Sequence, residues 1–187
     1  MNRKTMDHLL SIGACESATD WAAKQTTLAQ AWRDCERADW MMWLLGRTCK
    51  QGSAQHKKLV LLACRIASDA LKRHWNRKDS RPRKAIRITR LWVRGRATIE
   101  QVKVATCDAA AVNAAHATYA TYAAVNAVHA AHAVYAAAYV AAYAANVGGV
   151  GSGVGTYAAY ADATRDKALK RYADWVRKDF PNPPRLK

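Results

Sequence analysis

Charged residues are missing from the centre of this chain. Between Asp108 and Asp162 there is no Lys, Arg, Asp or Glu, although the 187-residue protein has a formal net charge of +16. Half of residues 108–147 are alanine, and the segment closes in a glycine-rich run at 148–153. Such a segment is typical of a closely packed helix, a membrane span or a binding surface, and each alternative gives a different function.

The sequence also lacks the cysteine patterns of metal-binding and disulfide-rich proteins. Its five cysteines are odd in number and show no CxxC or Cys/His spacing. No signal peptide is recognisable, because no apolar run of sufficient length follows Met1-Asn2-Arg3-Lys4-Thr5. We therefore expect reduced thiols, no cofactor, and a cytoplasmic protein that would work in the host cytoplasm if a phage encodes it.

Catalytic motifs are missing as well. The chain has no P-loop, nucleophile elbow or HExxH sequence. The acidic residues Asp34, Glu36 and Asp39 alternate with arginines, which indicates ion pairs on a helix surface. Cys35 lies beside two arginines, but no base for it is identifiable, so we interpret it as a buried, inert thiol. We expect no enzymatic activity.

The remaining sequence has helical periodicity, and no segment alternates in the way a strand does. It predicts short helices near 5–11, 15–24, 27–36 and 38–46. Thr26 or Thr27 is expected to cap the third of these helices, and Gly46 to end the fourth. Ser53 is expected to cap a longer helix that runs to about Trp75.

Large apolar side chains at helical spacing are the candidate core. The first helices supply Trp21, Leu28, Trp32, Trp40, Trp43 and Leu44. The longer helix supplies Leu59, Leu62, Ala63, Ile66, Ala70 and Leu71, and the last helix supplies Ala158, Ala161, Leu169, Tyr172, Ala173 and Val176. Tryptophan clusters can also be ligand platforms, but their helical spacing here favours a core.

The alanine-rich segment predicts a helical hairpin. The capping-box pattern Thr98-Ile99-Glu100-Gln101 begins a helix that nothing interrupts before Gly148. A straight helix over that range would be about 70 Å long, so it bends, projects or packs in an oligomer. A second helix from about Thr156 to Lys178 is expected to return through the glycine-rich turn.

The expected architecture is an all-α helical bundle that forms one structural unit. A Trp/Arg-rich helical module occupies 1–97, and a long alanine-rich antiparallel hairpin occupies 98–180, with its turn near 147–155. Residues 181–187 are expected to be a loose tail. A homo-oligomer formed through the alanine-rich helices remains an open alternative.

Metal binding and membrane insertion are the minority interpretations of the uncharged segment. His129 and His132 lie one helical turn apart, but no carboxylate or cysteine joins them at helical spacing, so we expect no metal. The segment is long enough to cross a membrane. Because Asn, His and Thr recur on several of its faces, we expect no membrane insertion.

The basic helix that follows Ser80 is the sharpest functional feature. On a helical wheel, Arg83, Arg87, Arg90 and Arg94 lie within about 60° of one another, opposite Ala85, Ile88 and Trp92. The helix contains no acidic residue that could pair with this stripe. Ser80, Arg81 and Lys84 would add an anion-binding helix start.

An anionic partner suits this stripe, in the form of a nucleotide, a nucleic acid or an acidic protein face. The alternative is a solvated arginine surface. No helix-turn-helix, zinc finger or aromatic RNA motif supports a defined nucleic-acid module.

The order of several motifs is informative. They are Ala31-Trp32-Arg33-Asp34-Cys35-Glu36-Arg37-Ala38-Asp39-Trp40, Leu59-Val60-Leu61-Leu62-Ala63-Cys64, Arg81-Pro82-Arg83-Lys84-Ala85-Ile86, Gly95-Arg96-Ala97-Thr98-Ile99-Glu100-Gln101-Val102 and Tyr172-Ala173-Asp174-Trp175-Val176-Arg177. Together with the Ala/Tyr run, they resemble a group of alanine-rich phage and bacterial proteins, the Imm5-like immunity proteins.

The resemblance implies an all-helical protein that neutralises a toxin or a defence system and has no catalytic residues. This chain is more basic than that group, with Arg87, Arg90 and Arg96 where acidic or neutral residues are usual. A net charge of +16 argues against mimicry of nucleic acid.

We therefore expect a non-enzymatic binding or inhibitor protein of phage or mobile-element type, immunity-like or anti-defence. It would neutralise a protein or an anionic, nucleotide-type partner. The alternative is a nucleic-acid-binding protein that uses the arginine-striped helix, and the lesser alternative is a membrane-associated helical hairpin.

Overall fold

The computed structural model describes residues 1–74, 80–111 and 156–186. These ranges contain eight helices and no strand, which confirms the all-α prediction for this part of the chain. The helices are α1 Arg3–Ser11, α2 Glu16–Ala23, α3 Leu28–Asp34, α4 Ala38–Thr48, α5 Ala54–His74, α6 Arg81–Val93, α7 Ile99–Ala111 and α8 Thr156–Asp179.

The helix starts follow the capping residues of the sequence. The hydroxyl of Thr27 accepts a hydrogen bond from the N–H of Gln30 at 3.0 Å, and the Ser53 hydroxyl accepts from the N–H of His56 at 3.1 Å. At α7 the capping box is complete. The N–H of Gln101 donates to the Thr98 hydroxyl, and the N–H of Thr98 donates to the Gln101 side chain at 2.8 Å.

The predicted end of α4 at Gly46 is wrong, because the helix continues to Thr48. Gly46 is buried within the helix. Beyond it, the Arg47 side chain donates to the carbonyl of Ile12 at 2.7 Å, and the Thr48 hydroxyl donates back to the carbonyl of Leu44 at 2.8 Å. These bonds keep the last turn helical, and a glycine in a helix interior is tolerated when packing compensates for its entropy.

The main core lies where α4, α5 and α8 pack together, with α1–α3 around it. Of the predicted core residues whose side chains are described, Trp32, Leu44, Leu59, Leu62, Ala63, Ile66, Leu169, Tyr172, Ala173 and Val176 are buried. Trp21, Leu28, Trp40 and Trp43 are partly buried and pack against this cluster. The tryptophans are therefore core residues, as their spacing predicts. The side chains of Ala70, Leu71, Ala158 and Ala161 lie outside the described ones.

The end of α8 is fixed to the opposite end of the chain. The indole N–H of Trp32 donates to the carbonyl of Phe180 at 2.9 Å. The Arg177 guanidinium donates to the carbonyl of Cys35 at 2.6 Å. Leu186 packs against the main core, whereas a loose tail was expected for 181–187. Burial of Phe180 and Leu186 explains the difference, since apolar side chains at a terminus can hold it in place.

Helices α6 and α7 form an antiparallel pair beside α5. A second, smaller core of Val60, Cys64 and Val93 joins α5 to α6. The ammonium of Lys84, near the start of α6, lies 3.7 Å from the carboxylate of Asp108 in the last turn of α7. This pair fixes the antiparallel direction.

Several predictions fall on residues outside the described ranges. They are the continuity of the helix from 112 to 146, the glycine-rich turn near 147–155, the hairpin that this turn would close, and the pair His129 and His132. Across the ranges that are described, no helix combines the length and the apolar character that crossing a membrane requires.

Candidate binding face

Three of the four arginines in the predicted stripe are exposed to solvent. Arg83 and Arg87 of α6 and Arg94, the C-cap residue directly after it, lie within about 40° of one another on a helical wheel, in a row about 16 Å long. Among the residues that the structure describes, no ion pair or hydrogen bond engages these three side chains. We call these three residues the arginine face.

The fourth arginine of the stripe has a different role. Arg90 is half-buried, and its guanidinium donates to the hydroxyl of Ser68 at 2.9 Å and to the carbonyl of Cys64 at 3.3 Å. Both acceptors belong to α5. Arg90 therefore ties α6 to its neighbour, and the predicted stripe of four is divided into one structural and three solvent-facing arginines.

The C-terminal end of α6 is a fixed turn. Gly95 has a φ of +71°, its N–H bonds to the carbonyl of Trp92 at 2.9 Å, and the N–H of Arg96 bonds to the carbonyl of Leu91 at 2.8 Å. This is the Schellman pattern, which favours glycine because its φ is positive. It places the exposed Arg96 just past the arginine face.

The start of α6 brings Ser80, Arg81 and Lys84 together at one end of the helix. Ser80 has helical backbone angles, and its hydroxyl makes no capping bond. Lys84 is engaged by Asp108. An anion-binding role for this helix start therefore stays a prediction, and Lys84 already faces a carboxylate.

The excess positive charge of the first 107 residues lies in the part of the sequence that contains α5, α6 and the start of α7. Residues 50–107 contain 16 Lys and Arg against three Asp and Glu, whereas residues 1–49 contain six of each. Two of those three acids are in contact with other cations. The Asp69 carboxylate lies 2.7 Å from the Arg171 guanidinium, and Glu100 lies 2.7 Å from the Lys103 ammonium. These two acids pair with Lys103 and Arg171 and do not neutralise the arginine face.

A cavity lies among α1–α4, and unlike the arginine face it is apolar. It has a volume of about 60 Å³, and its lining includes Trp21, Trp32, Trp40 and Cys35. Burial raises the pKa of the Cys35 thiol to about 11, against the smaller lowering effects of Arg37 and Arg177. At neutral pH the group is a protonated thiol, which agrees with the interpretation of Cys35 as inert.

The described side chains give no group of three or more His, Cys, Asp or Glu that could hold a metal ion. The pair His129 and His132 lies outside them. The four cysteines whose side chains are described, Cys15, Cys35, Cys49 and Cys64, are free thiols.

Sequence reasoning missed the partners that divide the basic helix. Ser68 lies 22 residues from Arg90, and Asp108 lies 24 residues from Lys84, so each contact depends on how α5, α6 and α7 pack. The exposed position of Arg96 could be predicted from sequence, because this residue directly follows Gly95, which ends the helix.

Residues 50–178 match the family model described as Imm-5 like putative immunity protein. The match begins just before α5 and includes the whole of α5, α6 and α7, with the arginine face. Curated proteins and solved structures give no match to the chain. Because the family model covers well over half of the chain, the protein belongs to the Imm-5 like putative immunity protein family.

Proposed function

We propose that this protein is a non-enzymatic inhibitor that binds and neutralises another protein, and that the arginine face of α6 is its contact surface. The observation that carries the proposal is a row of three exposed, unpaired arginines inside the family-matched part of the chain. Arginine is enriched in protein interfaces because its planar guanidinium pairs with carboxylates through two parallel hydrogen bonds.

Neutralisation would work by occupation of the partner's surface. The arginine face lies on a helix that is held from both sides, by Arg90 on Ser68 of α5 and by Lys84 opposite Asp108 of α7. A contact surface that is already ordered loses less conformational entropy on binding, which favours affinity. The same mechanism applies whether the partner is a toxin or a host defence protein, as expected for a phage or mobile-element protein.

A nucleic acid or a nucleotide is the second candidate partner. The observation in its favour is the same row of unpaired cations, because arginine forms paired hydrogen bonds with phosphates and with carboxylates alike. Phosphate contacts release condensed counterions, so this alternative predicts an affinity that falls steeply with salt concentration.

The test is quantitative affinity capture from cells that encode the protein, with three baits of equal concentration. The baits are the parent, the variant Arg83→Glu/Arg87→Glu/Arg94→Glu, and the control Lys24→Glu/Arg33→Glu/Lys178→Glu. The control positions are exposed cations outside α6. Both variants change the net charge by the same amount.

We expect a protein that the parent and the control retain and that the arginine-face variant loses. The proposal is wrong if the retained proteins are the same for all three baits. A nuclease-treated lysate separates the two candidates, since a partner that is lost after nuclease treatment was held through nucleic acid.

A further inference from the structure

The arginine face is nearly straight along the helix axis. Its members are four and seven residues apart, and both steps are close to whole helical turns, so their Cα atoms are about 6 and 10 Å apart along the axis. The Schellman turn at Gly95 and the contacts of Arg90 and Lys84 fix the helix that presents them. The spacing of the backbone positions that carry the positive charges is therefore set by the fold.

Two exposed aliphatic side chains lie on α7, the helix that packs against α6. The exposed large hydrophobic side chains of the described residues are Leu10, Leu61, Ile99 and Val104, and two of these, Ile99 and Val104, belong to α7, the antiparallel partner of α6. None of the four is aromatic. Binding of single-stranded nucleic acid uses exposed aromatic rings on which bases stack. The aromatic ring of α6, Trp92, is partly buried against the second core, so none of the most exposed hydrophobic side chains of the described residues offers a stacking platform.

From this geometry we infer that the arginine face accepts an acidic helix of a protein partner, with carboxylates on one side at intervals of four and seven residues. The inference rests on the proposed function in taking the partner to be a protein. A helix with glutamates at i, i+4 and i+11 repeats the spacing of Arg83, Arg87 and Arg94. It can therefore meet all three guanidiniums at once. The exposed Ile99 and Val104 belong to α7, which packs against α6.

Charge alone does not make this match, because a protein of net charge +16 attracts every polyanion. Register is the distinguishing property. If the same three glutamates are distributed around a helix, only one or two of them can face α6 at a time. The net charge of such a peptide is unchanged, so any difference in affinity reports the geometry.

The experiment measures the binding of three probes by fluorescence anisotropy at physiological salt. The first is an alanine-rich helical peptide of about 20 residues with glutamates at i, i+4 and i+11. The second has the same composition, with its glutamates spread around the helix. The third is oligothymidine of about 20 nucleotides. Each probe is titrated with the parent, with Arg83→Gln/Arg87→Gln/Arg94→Gln, and with the control Lys24→Gln/Arg33→Gln/Lys178→Gln.

The in-register peptide is expected to bind the parent and the control variant equally, and the arginine-face variant about tenfold more weakly, as three exposed ion pairs together allow. The peptide with spread glutamates is expected to bind more weakly than the in-register one. Helical content and thermal melting show whether both variants fold, and glutamine at exposed helical positions preserves helix propensity.

The inference is overturned if the parent binds the in-register and the spread peptide equally, or if the arginine-face and control variants bind the in-register peptide equally. It is also overturned if oligothymidine is the probe whose affinity depends most on the arginine face. The proposed function fails on a separate result. In the capture experiment, the arginine-face bait would then retain the same proteins as the parent. The two failures can therefore be told apart.

Discussion

Arg90 and Ser68 are joined by a hydrogen bond of 2.9 Å that connects α6 to α5. The bond removes one arginine from a row that otherwise faces solvent. It separates a residue that maintains the fold from three residues that are available to a partner. Variants of Arg90 and of its neighbour Arg87 should therefore have different effects.

We predict that Arg90→Ala lowers the free energy of unfolding by about 1–2 kcal/mol, because the charged hydrogen bonds to Ser68 and Cys64 are lost from a half-buried site. Arg87→Ala, at an exposed position, should change it by less than about 0.5 kcal/mol. Urea denaturation followed by tryptophan fluorescence measures both variants. Equal destabilisation by the two substitutions would contradict the division of the stripe.

Phe180 should be a major contributor to stability. Its ring is 8% exposed, and its carbonyl accepts the indole N–H of Trp32. Phe180→Ala is expected to cost about 3 kcal/mol, as for other buried phenylalanines. Pro181→Ala, at the exposed next position, is the control and should cost much less. A melting temperature for Phe180→Ala close to that of Pro181→Ala would show that this end of the chain is not held.

Stability should fall in mild acid because of His56. Its Nδ1 accepts the N–H of Gly52 at 3.2 Å, and within the described structure its buried Nε2 has no hydrogen-bond partner. Burial lowers the pKa of His56 below its ordinary value of about 6.5. The neutral ring therefore stabilises the fold above that pH, and the stabilisation is lost as the pH falls below it.

The check is His56→Asn, whose side-chain oxygen can still accept the N–H of Gly52 but does not titrate. Between about pH 7 and pH 5 the free energy of unfolding should decrease more for the parent than for the variant. Parallel pH profiles for the two proteins would refute the role of His56.

The cysteines should differ widely in reactivity. Burial raises the pKa of Cys35 and of Cys64 to about 11, whereas Cys15 is exposed. At about pH 8, iodoacetamide should alkylate Cys15 first and reach Cys35 and Cys64 only after unfolding, since the thiolate is the reactive form. Peptide mapping by mass spectrometry follows each site. Labelling of Cys35 as fast as Cys15 in the folded protein would contradict its burial.

Much of the fold could be predicted from local sequence. Thr27, Ser53 and Gly95 mark helix ends through side-chain or backbone chemistry that acts within a few residues, and the structure uses all three. Gly46 failed as a signal because contacts with a distant loop outweigh its intrinsic preference. The bond from Arg47 to Ile12 spans 35 residues, and no local pattern indicates it.

The candidate site could be predicted only in part. Helical periodicity predicted four arginines on one side of the basic helix, and three of them are exposed in the structure. Periodicity does not predict that the Arg90 side chain points toward α5. That contact depends on the packing of α5 against α6, which brings the Ser68 hydroxyl within hydrogen-bond distance of Arg90. The sequence likewise gives no sign that Lys84 faces a carboxylate, because Asp108 comes beside it only when α7 packs against α6.

The central claim is that Arg83, Arg87 and Arg94 form the surface that a protein partner covers. Arginine-specific labelling with phenylglyoxal, read by mass spectrometry, tests it most directly in the complex with the captured protein. In the free protein these three residues should label readily, and Arg90 and Arg177 slowly, because both of the latter donate hydrogen bonds. Binding should protect all three residues of the arginine face. Unchanged labelling of Arg83, Arg87 and Arg94 in a saturated complex would contradict the account.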